Sequence, residues 1–281
     1  MVDQAQIPDL PPERWLNRLA HVLDPLEWLT RPKLYGIENI PDGGALLVGN
    51  HTIYGLLDLP FMIAELWKQR QIAVRALGEN AHYAIPLWRD ALEMCGMVRG
   101  TGDNLRELMR EQQNVLVFPG GSREVNKRRG EKYSLIWKER IGFARLAIEF
   151  GYPIVPFAAV GAEEMLDIII DESFAPYAEL ASVVKKVTHW PMQPVVRGVG
   201  VSPIPRPERL YFWFGQPVDT KRFERRHEEG DAARQVRDEV KQAVEEGISF
   251  LLNERENDPH SGLRARLLGG DESESQEHLG P

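Results

Sequence analysis

The sequence predicts an α/β fold, with a mostly parallel or mixed central sheet covered by helices. The chain has 281 residues, of which 43% are hydrophobic, so it can bury a sizeable core. A continuous apolar run such as Ala45–Gly49 is typical of a strand that is covered on both faces. Such runs alternate with segments of helical periodicity, which is the pattern of a substantially parallel sheet.

The N-terminal segment, residues 1–33, is predicted to form an amphipathic helix over Pro11–Arg31. Two interpretations stay open for its apolar face: packing on its own domain, or lying on a membrane surface. The apolar residues recur at helical spacing: they are Trp15, Leu16, Leu19, Leu23 and Leu26.

Residues 34–253 are predicted to form one domain, in which strands and helices alternate. Asp58 is placed to cap the first of its helices. The predicted strands are Ala45–Gly49, Ile72–Leu77, Asn114–Phe118, Ile154–Val160 and Leu210–Phe214. The predicted helices are Leu59–Arg70, Leu87–Cys95, one from Asp103 to Glu111, one that ends at Gly151, and one that begins at Asp231.

Two stretches depart from this pattern. Met165–Pro207 mixes apolar residues with prolines and has no clean period, so we interpret it as an irregular excursion, either a lid or a lipid-facing element. Residues 254–281 are rich in acids, Gly and Ser, and predict a disordered acidic tail.

Charge and composition exclude several classes of protein. The net charge of −8 argues against a nucleic-acid partner. We expect neither a secretory signal nor a transmembrane span, because the longest apolar-rich stretch, Ala45–Trp67, is interrupted by polar residues. Cys95 is the only cysteine, which fits a reducing compartment. These features predict a cytoplasmic protein that associates peripherally with membranes.

Several familiar chemical motifs are absent from the sequence. It has no G-x-S-x-G nucleophile elbow, no Walker A motif and no complete dinucleotide fingerprint. Its seven histidines show no metal-ligand spacing, so no metal site is predicted. Hydrolase, NTPase, dehydrogenase and metalloenzyme functions are therefore disfavoured.

A histidine stands just past a predicted buried strand. His51 follows Ala45–Gly49, and ligand sites in open α/β sheets collect at the carboxyl ends of strands. Asp58 follows within reach and could orient the imidazole as a general base. The alternative is structural: His51 binds the loop backbone, and Asp58 merely caps the next helix.

A second candidate element follows the strand Asn114–Phe118. Gly120 and Gly121 let the backbone approach a ligand, and their N–H groups together with Arg123 suit an oxyanion or a phosphate. From Arg123 to Arg145 the local charge is +5, since eight Lys or Arg face three Glu. The alternatives are a tight turn with a surface arginine, and a solvated helix face.

Together these elements resemble the glycerolipid acyltransferase superfamily, with its phospholipid/glycerol acyltransferase domain. The resemblance spans about Leu34 to Asp219 and leans toward the diacylglycerol acyltransferase-like branch. It rests on Asn50-His51 followed by an acid, Phe-Pro-Gly-Gly-x-Arg-Glu at residues 118–124, Trp137–Ala144, and Ile154-Val155-Pro156. The acid stands further from the histidine than in the family's pattern.

The resemblance implies transfer of a fatty acyl group from acyl-CoA, or an acyl carrier protein, to the hydroxyl of a glycerolipid. His51 would be the base and Asp58 would orient it. Acyl-CoA would be a co-substrate, with no cofactor and no metal. Two other functions stay open: a non-catalytic lipid-binding protein and an acyl thioesterase. The implied substrate-binding residues are Gly120, Gly121, Arg123, Glu124 and, through a loose match at Gly96–Arg99, Arg99.

Overall fold

The computed structural model describes residues 7–188, 191–224 and 226–268. Its main sheet has seven strands in the order β1-β9-β6-β2-β5-β3-β4, and two further strands pair as a ribbon, β7-β8. The strands are β1 Lys33–Tyr35, β2 Leu46–Gly49, β3 Val74–Gly78, β4 Val98–Arg99, β5 Asn114–Val117, β6 Ile154–Val160, β7 Asp167–Ile170, β8 Val195–Arg197 and β9 Tyr211–Phe214.

The predicted mixed, mostly parallel sheet is confirmed. Strand β2 pairs in parallel with both β5 and β6, and Leu46 lies opposite Val115 on one side and Ile154 on the other. Strands β5, β3 and β4 continue in parallel, whereas β9 runs antiparallel to β6. The carboxyl ends of β2, β3, β5 and β6 therefore meet at one edge of the sheet.

Helices cover both faces of the sheet. Leu46 and Val48 pack with α5, α7 and α9, whereas Leu47 packs with α3 on the opposite face. This double coverage is the reason that the strands are apolar at consecutive positions. The helices are α1 Glu13–His21, α2 Asp24–Thr30, α3 Leu59–Arg70, α4 Pro86–Met94, α5 Gly102–Arg110, α6 Ser122–Val125, α7 Gly142–Phe150, α8 Ala175–Thr188, α9 Gly230–Asn257 and α10 Leu263–Leu268.

The helix boundaries agree closely with those predicted from the sequence. Helix α3 has the predicted bounds and begins directly after Asp58. Helix α7 ends at Phe150, where Gly151 takes a left-handed conformation with φ of +57°. Within the described residues, no helix combines the length and the apolar character that a membrane span requires.

The N-terminal segment differs from the prediction, because it forms two helices rather than one. Helix α1 packs against α3, and the Trp15 indole donates a hydrogen bond of 3.0 Å to the Met94 carbonyl. A second hydrogen bond, from Trp67 Nε1 to Asn17 Oδ1, joins the two helices. The face of α1 is therefore held by its own domain, which favours the packing interpretation. Exposed apolar side chains remain on and before α2: Val22, Leu26 and Trp28.

The excursion over Met165–Pro207 is more regular than we predicted. It consists of an antiparallel ribbon, β7 and β8, with α8 between the two strands. Tyr177 and Ala181 of α8 are buried, so one face of this helix packs on the protein. The predicted irregularity is wrong because two-stranded pairing and a short helix satisfy the backbone of this segment.

The prediction of a disordered tail from residue 254 is wrong for residues 254–268. Helix α9 continues to Asn257, and Asp258 is buried against Lys33, Arg209 and Tyr211. Arg266 of α10 is also buried and donates hydrogen bonds to the carbonyls of Leu29, His260, Ser261 and Pro207. Residues 269–281 of the predicted tail lie outside the described residues.

Candidate functional site

The loop that carries His51 is fixed to the carboxyl edge of the sheet at its beginning, where the chain leaves β2. The amide of Asn50 donates to the Ala159 carbonyl at 2.9 Å and accepts from the Ala159 N–H at 2.8 Å. Next to it, the His51 N–H donates to Glu124 Oε2 at 3.1 Å. The end of β2 is thereby tied both to β6 and to the segment that follows β5.

The His51 imidazole lies in a tight pocket of neighbouring groups. It stacks on Phe118, with ring centroids 4.0 Å apart and planes 17° apart, and its other side lies against Gly55. Its Nδ1 is buried and has no hydrogen-bond partner among the described residues. Burial, followed by the charges of Lys127 and His82, lowers the pKa of His51 to about 3. The imidazole is therefore uncharged at neutral pH.

Asp58 lies in the same loop but is not hydrogen-bonded to His51. Its carboxylate is buried and accepts a hydrogen bond of 2.9 Å from the Thr52 hydroxyl. No hydrogen bond joins Asp58 to His51 in this structure, so the predicted direct orientation of the imidazole is not present here, and Thr52 is the partner of one carboxylate oxygen. Burial raises the pKa of Asp58 to about 6. The charge of Asp58 therefore changes near pH 6.

Glu124 does not contact a ligand site as predicted. Its side chain is fully buried, and its two oxygens accept the N–H groups of His51 and Ile136 at 3.1 and 2.6 Å. Both oxygens are therefore engaged by the backbone. Glu124 therefore holds the His51 loop in place through the backbone, and its fully buried carboxylate is out of reach of a substrate.

The two glycines before Glu124 are required by the packing around it. A Cβ on Gly120 would lie 2.0–2.3 Å from atoms of the Glu124 side chain. Gly121 has a φ of +52°, and its N–H donates to the Phe118 carbonyl at 3.0 Å. The predicted use of the Gly121 N–H for an oxyanion is therefore wrong in this conformation. The Gly120 N–H makes no hydrogen bond to any described residue.

The basic segment from Arg123 to Arg145 is largely neutralised by acidic residues. Arg123 donates to Glu131 at 2.5 Å, and Lys127 forms a buried ion pair with Glu163. These cations therefore have acidic partners in this structure, and the phosphate site stays a prediction. The remaining pairs are Arg128 with Glu172, Arg129 with Asp171, and Lys132 with Glu164. Asp171 and Glu172 belong to the excursion, and Glu163 and Glu164 lie just before it, so the basic segment anchors the beginning of the excursion.

Arg99 is not brought together with His51. It lies on β4, the edge strand, with its guanidinium 5.5 Å from the centre of the Tyr83 ring. Strand β4 is three positions from β2 in the sheet, a separation of about 14 Å. Direct contact of both residues with one small reacting group is therefore excluded in this structure.

Sequence reasoning missed three residues of the site. Thr52 binds the carboxylate of Asp58, Gly55 supports the imidazole, and His82 lies close enough for its charge to lower the pKa of His51. His82 follows the carboxyl end of β3, so the rule that selected His51 could also have selected His82.

Gly55→Ala is expected to displace the imidazole and to lower activity about 100-fold, as misplacement of a reacting group by about an ångström does. The new Cβ would lie 2.2 Å from His51 Cε1. The matched control is Gly130→Ala, since Gly130 also has a positive φ but has no atom within 4 Å of a new Cβ. Steady-state rates and unfolding midpoints of both variants give the comparison. Equal rates for the two variants would contradict this role of Gly55.

Comparison with known proteins identifies similar chains. Residues 31–160 match the family model named Acyltransferase. The chain is 34% identical to phytyl ester synthase 1, chloroplastic, of Arabidopsis thaliana, over 83% of its own length and 36% of the relative. It is 26% identical to the DGAT1/2-independent enzyme synthesizing storage lipids of Mus musculus, over 53% of its length and 47% of the relative.

A solved structure is also similar. The 1-acyl-sn-glycerophosphate acyltransferase PlsC from Thermotoga maritima is 19% identical, with a TM-score of 0.49 over 83% of this chain and 78% of that one. The present chain spans about a third of the length of the plant relative.

Proposed function

The chain belongs to the acyltransferase family through residues 31–160, and we propose that it transfers a fatty acyl group from an acyl thioester to the hydroxyl of a lipid. The observation that carries this proposal is the His51 imidazole at the carboxyl edge of the sheet. Its burial keeps it neutral, and its Nδ1 has no partner among the described residues. No described side chain therefore occupies the imidazole, and we propose that its more accessible nitrogen, Nε2, acts as the base.

In the proposed reaction His51 takes the proton of the acceptor hydroxyl while its oxygen attacks the thioester carbonyl carbon. The carbon–sulfur bond then breaks, and the proton passes from the imidazolium to the leaving thiolate. The Gly120 N–H is the backbone donor that we propose for the oxyanion, since it has no hydrogen-bond partner among the described residues. No covalent acyl-enzyme is required.

The substrates are proposed from chemistry and from the relatives. The donor is acyl-CoA or an acyl carrier protein thioester. The acceptor is a lipid alcohol, for which a glycerolipid is our first choice. The names of the relatives, phytyl ester synthase and an enzyme synthesizing storage lipids, support a long-chain lipid product.

The test is mass spectrometry of the products formed from one acyl-CoA and a mixture of acceptors. The mixture contains lysophosphatidate, monoacylglycerol, diacylglycerol and phytol. An acylated lipid that forms in proportion to enzyme supports acyl transfer and identifies the acceptor. Free fatty acid alone indicates a thioesterase. Binding of lipid without any turnover indicates a lipid-binding protein, and either result overturns the proposal.

Activity is expected to fall as the pH drops through about 6. Burial raises the pKa of Asp58 to about 6, so its carboxylate is ionised above this pH and neutral below it. If the reaction needs this charge beside the base, the rate decreases about tenfold per pH unit on the acid side. Asp58→Asn should give a low rate that no longer changes between pH 5 and 7. If the rate of Asp58→Asn still falls as the pH drops through about 6, a group other than Asp58 causes that fall.

The stability of Asp58→Asn separates a role of the Asp58 charge in catalysis from a structural role. Folding raises the pKa of Asp58, so its contribution to stability is present at low pH and is lost as the pH rises through about 6. An asparagine can still accept the Thr52 hydroxyl and carries no charge to desolvate. Asp58→Asn should therefore be at least as stable as the parent at pH 8, measured by urea denaturation. A large loss of stability there would show that Asp58 acts chiefly in holding the loop.

A further inference from the structure

Tyr54 has a backbone conformation that is unusual for a large side chain. It lies in the short turn Ile53–Gly55 after His51, with a φ of +58° and a ψ of −13°. Residues that carry a Cβ rarely adopt a positive φ, and a bulky residue stays there only when its surroundings hold it. Strained residues of this kind cluster at functional sites, so the contacts that hold Tyr54 bear on the candidate site.

The strained turn places the backbone against the imidazole of His51. Gly55 follows Tyr54 with a φ of +64°, and its N–H donates to the Thr52 carbonyl at 3.1 Å. A Cβ on Gly55 would lie 2.2 Å from His51 Cε1 and 2.9 Å from His51 Nε2. The Gly55 backbone and the Phe118 ring therefore both bound the imidazole. A change in the conformation of Tyr54 would move the first of these two boundaries, because Gly55 is the next residue.

The side chain of Tyr54 fastens this turn to the excursion. Its ring is partly buried and packs on the apolar cluster between the sheet and α3. Its hydroxyl donates a hydrogen bond of 2.8 Å to the Pro194 carbonyl, which lies 140 positions further along the chain. The hydroxyl is therefore the point at which the excursion holds the loop that carries His51.

The Pro194 carbonyl belongs to a fixed part of the excursion. Pro194 is buried and directly precedes β8, which pairs with β7 as an antiparallel ribbon. The guanidinium of Arg206 holds this ribbon, because it donates to the Asp167 carboxylate of β7 and to the Glu164 carbonyl just before the ribbon. The acceptor of the Tyr54 hydroxyl is thus anchored independently of the His51 loop.

We propose that Tyr54 is a positioning residue for His51. Its hydrogen bond to Pro194 keeps the strained turn closed, and the closed turn keeps Gly55 against the imidazole. Without this bond the backbone of Tyr54 relaxes toward a negative φ, and the imidazole gains freedom to turn away from Phe118. The proposal rests on the proposed function, because the position of the imidazole affects turnover only if His51 is the base.

The test compares Tyr54→Phe with Tyr177→Phe in the full chain. Tyr54→Phe removes one hydroxyl and retains the ring that packs on the cluster. It should lower kcat about tenfold, as a partial misplacement of the base does, and leave KM unchanged. Tyr177→Phe is the matched control, because the Tyr177 hydroxyl donates from α8 to the carbonyl of Gln193, the residue before Pro194. That hydrogen bond does not involve the His51 loop, so the control should keep the kcat of the parent.

A second measurement does not depend on activity. The Cε1–Hε1 NMR signal of His51, identified by its absence from His51→Phe, reports on the atom that lies closest to Gly55. It should shift in Tyr54→Phe and keep its position in Tyr177→Phe. If the parent transfers no acyl group and the signal still shifts only in Tyr54→Phe, the acyl-transfer proposal fails and the hold of Tyr54 on the imidazole is supported.

Three results would overturn the positioning role. They are an equal kcat in Tyr54→Phe and Tyr177→Phe, an unmoved His51 signal in Tyr54→Phe, and a loss of turnover that only matches a loss of folded protein. Urea denaturation of both variants measures the folded fraction under the assay conditions. A rise in KM with an unchanged kcat would also overturn it, because that result assigns the Tyr54 hydroxyl to substrate binding.

Discussion

His51→Ala is expected to lower turnover about 1,000-fold while leaving the fold intact. A positioned general base contributes roughly 100- to 10,000-fold, so its removal should cost an amount in this range. The imidazole makes no side-chain hydrogen bond to a described residue, so its loss leaves no buried partner unsatisfied. Initial rates with acyl-CoA and the acceptor found by mass spectrometry, together with the thermal midpoint, measure both effects.

Two variants make the His51 result specific. His51→Phe retains a ring for the stack on Phe118 but has no nitrogen, so it should be as inactive as His51→Ala. His21→Ala removes an exposed histidine at the end of α1 and should leave the rate unchanged. Turnover of His51→Ala within about fivefold of the parent would show that His51 is not the base.

Glu124→Ala should give the largest loss of stability, about 3 kcal/mol. The change leaves the partly buried N–H groups of His51 and Ile136 without acceptors, and each such group costs roughly 1–3 kcal/mol. It also leaves space below Gly120, whose packing depends on this side chain. Urea denaturation gives the free energy of unfolding, and turnover should fall with it because the His51 loop loses its anchor.

Glu131→Ala is the control variant for the stability of Glu124→Ala. That variant removes a half-exposed carboxylate paired with Arg123, and such pairs contribute only about 0–1 kcal/mol. Glu124→Gln should lie between the parent and Glu124→Ala, since its amide oxygen can accept one N–H but not both. If Glu124→Ala unfolds at the same urea concentration as Glu131→Ala, the two backbone hydrogen bonds do not have the role described above.

Local patterns predicted those parts of the fold that local physics determines. The apolar run Leu46-Leu47-Val48 predicted a doubly covered strand, and the three residues do pack on alternate faces. The end of α7 at Gly151 followed from a residue that accepts a left-handed conformation. The position of His51 at the carboxyl edge followed from the order of its strand and loop.

The errors arose where the partner of a residue lies far along the chain. The +5 charge was counted over a short window, whereas four of its balancing acids lie 32 to 44 residues later, as in Lys127 with Glu163. The acidic composition after residue 254 is typical of a disordered tail, yet Asp258 is held by Lys33 and Arg209. Glu124 belongs to a motif that suggested a ligand contact, whereas its two oxygens serve backbone N–H groups.

The buried guanidinium of Arg266 joins segments that are distant in sequence. Its donors reach the carbonyl of Leu29, just before β1, and that of Pro207, at the end of the excursion, as well as the turn before α10. Arg266 thus ties α10 to α2 and to the end of the excursion, and we expect these segments to open together. A chain that ends at residue 253 would lack these hydrogen bonds and is expected to be less stable than the full chain.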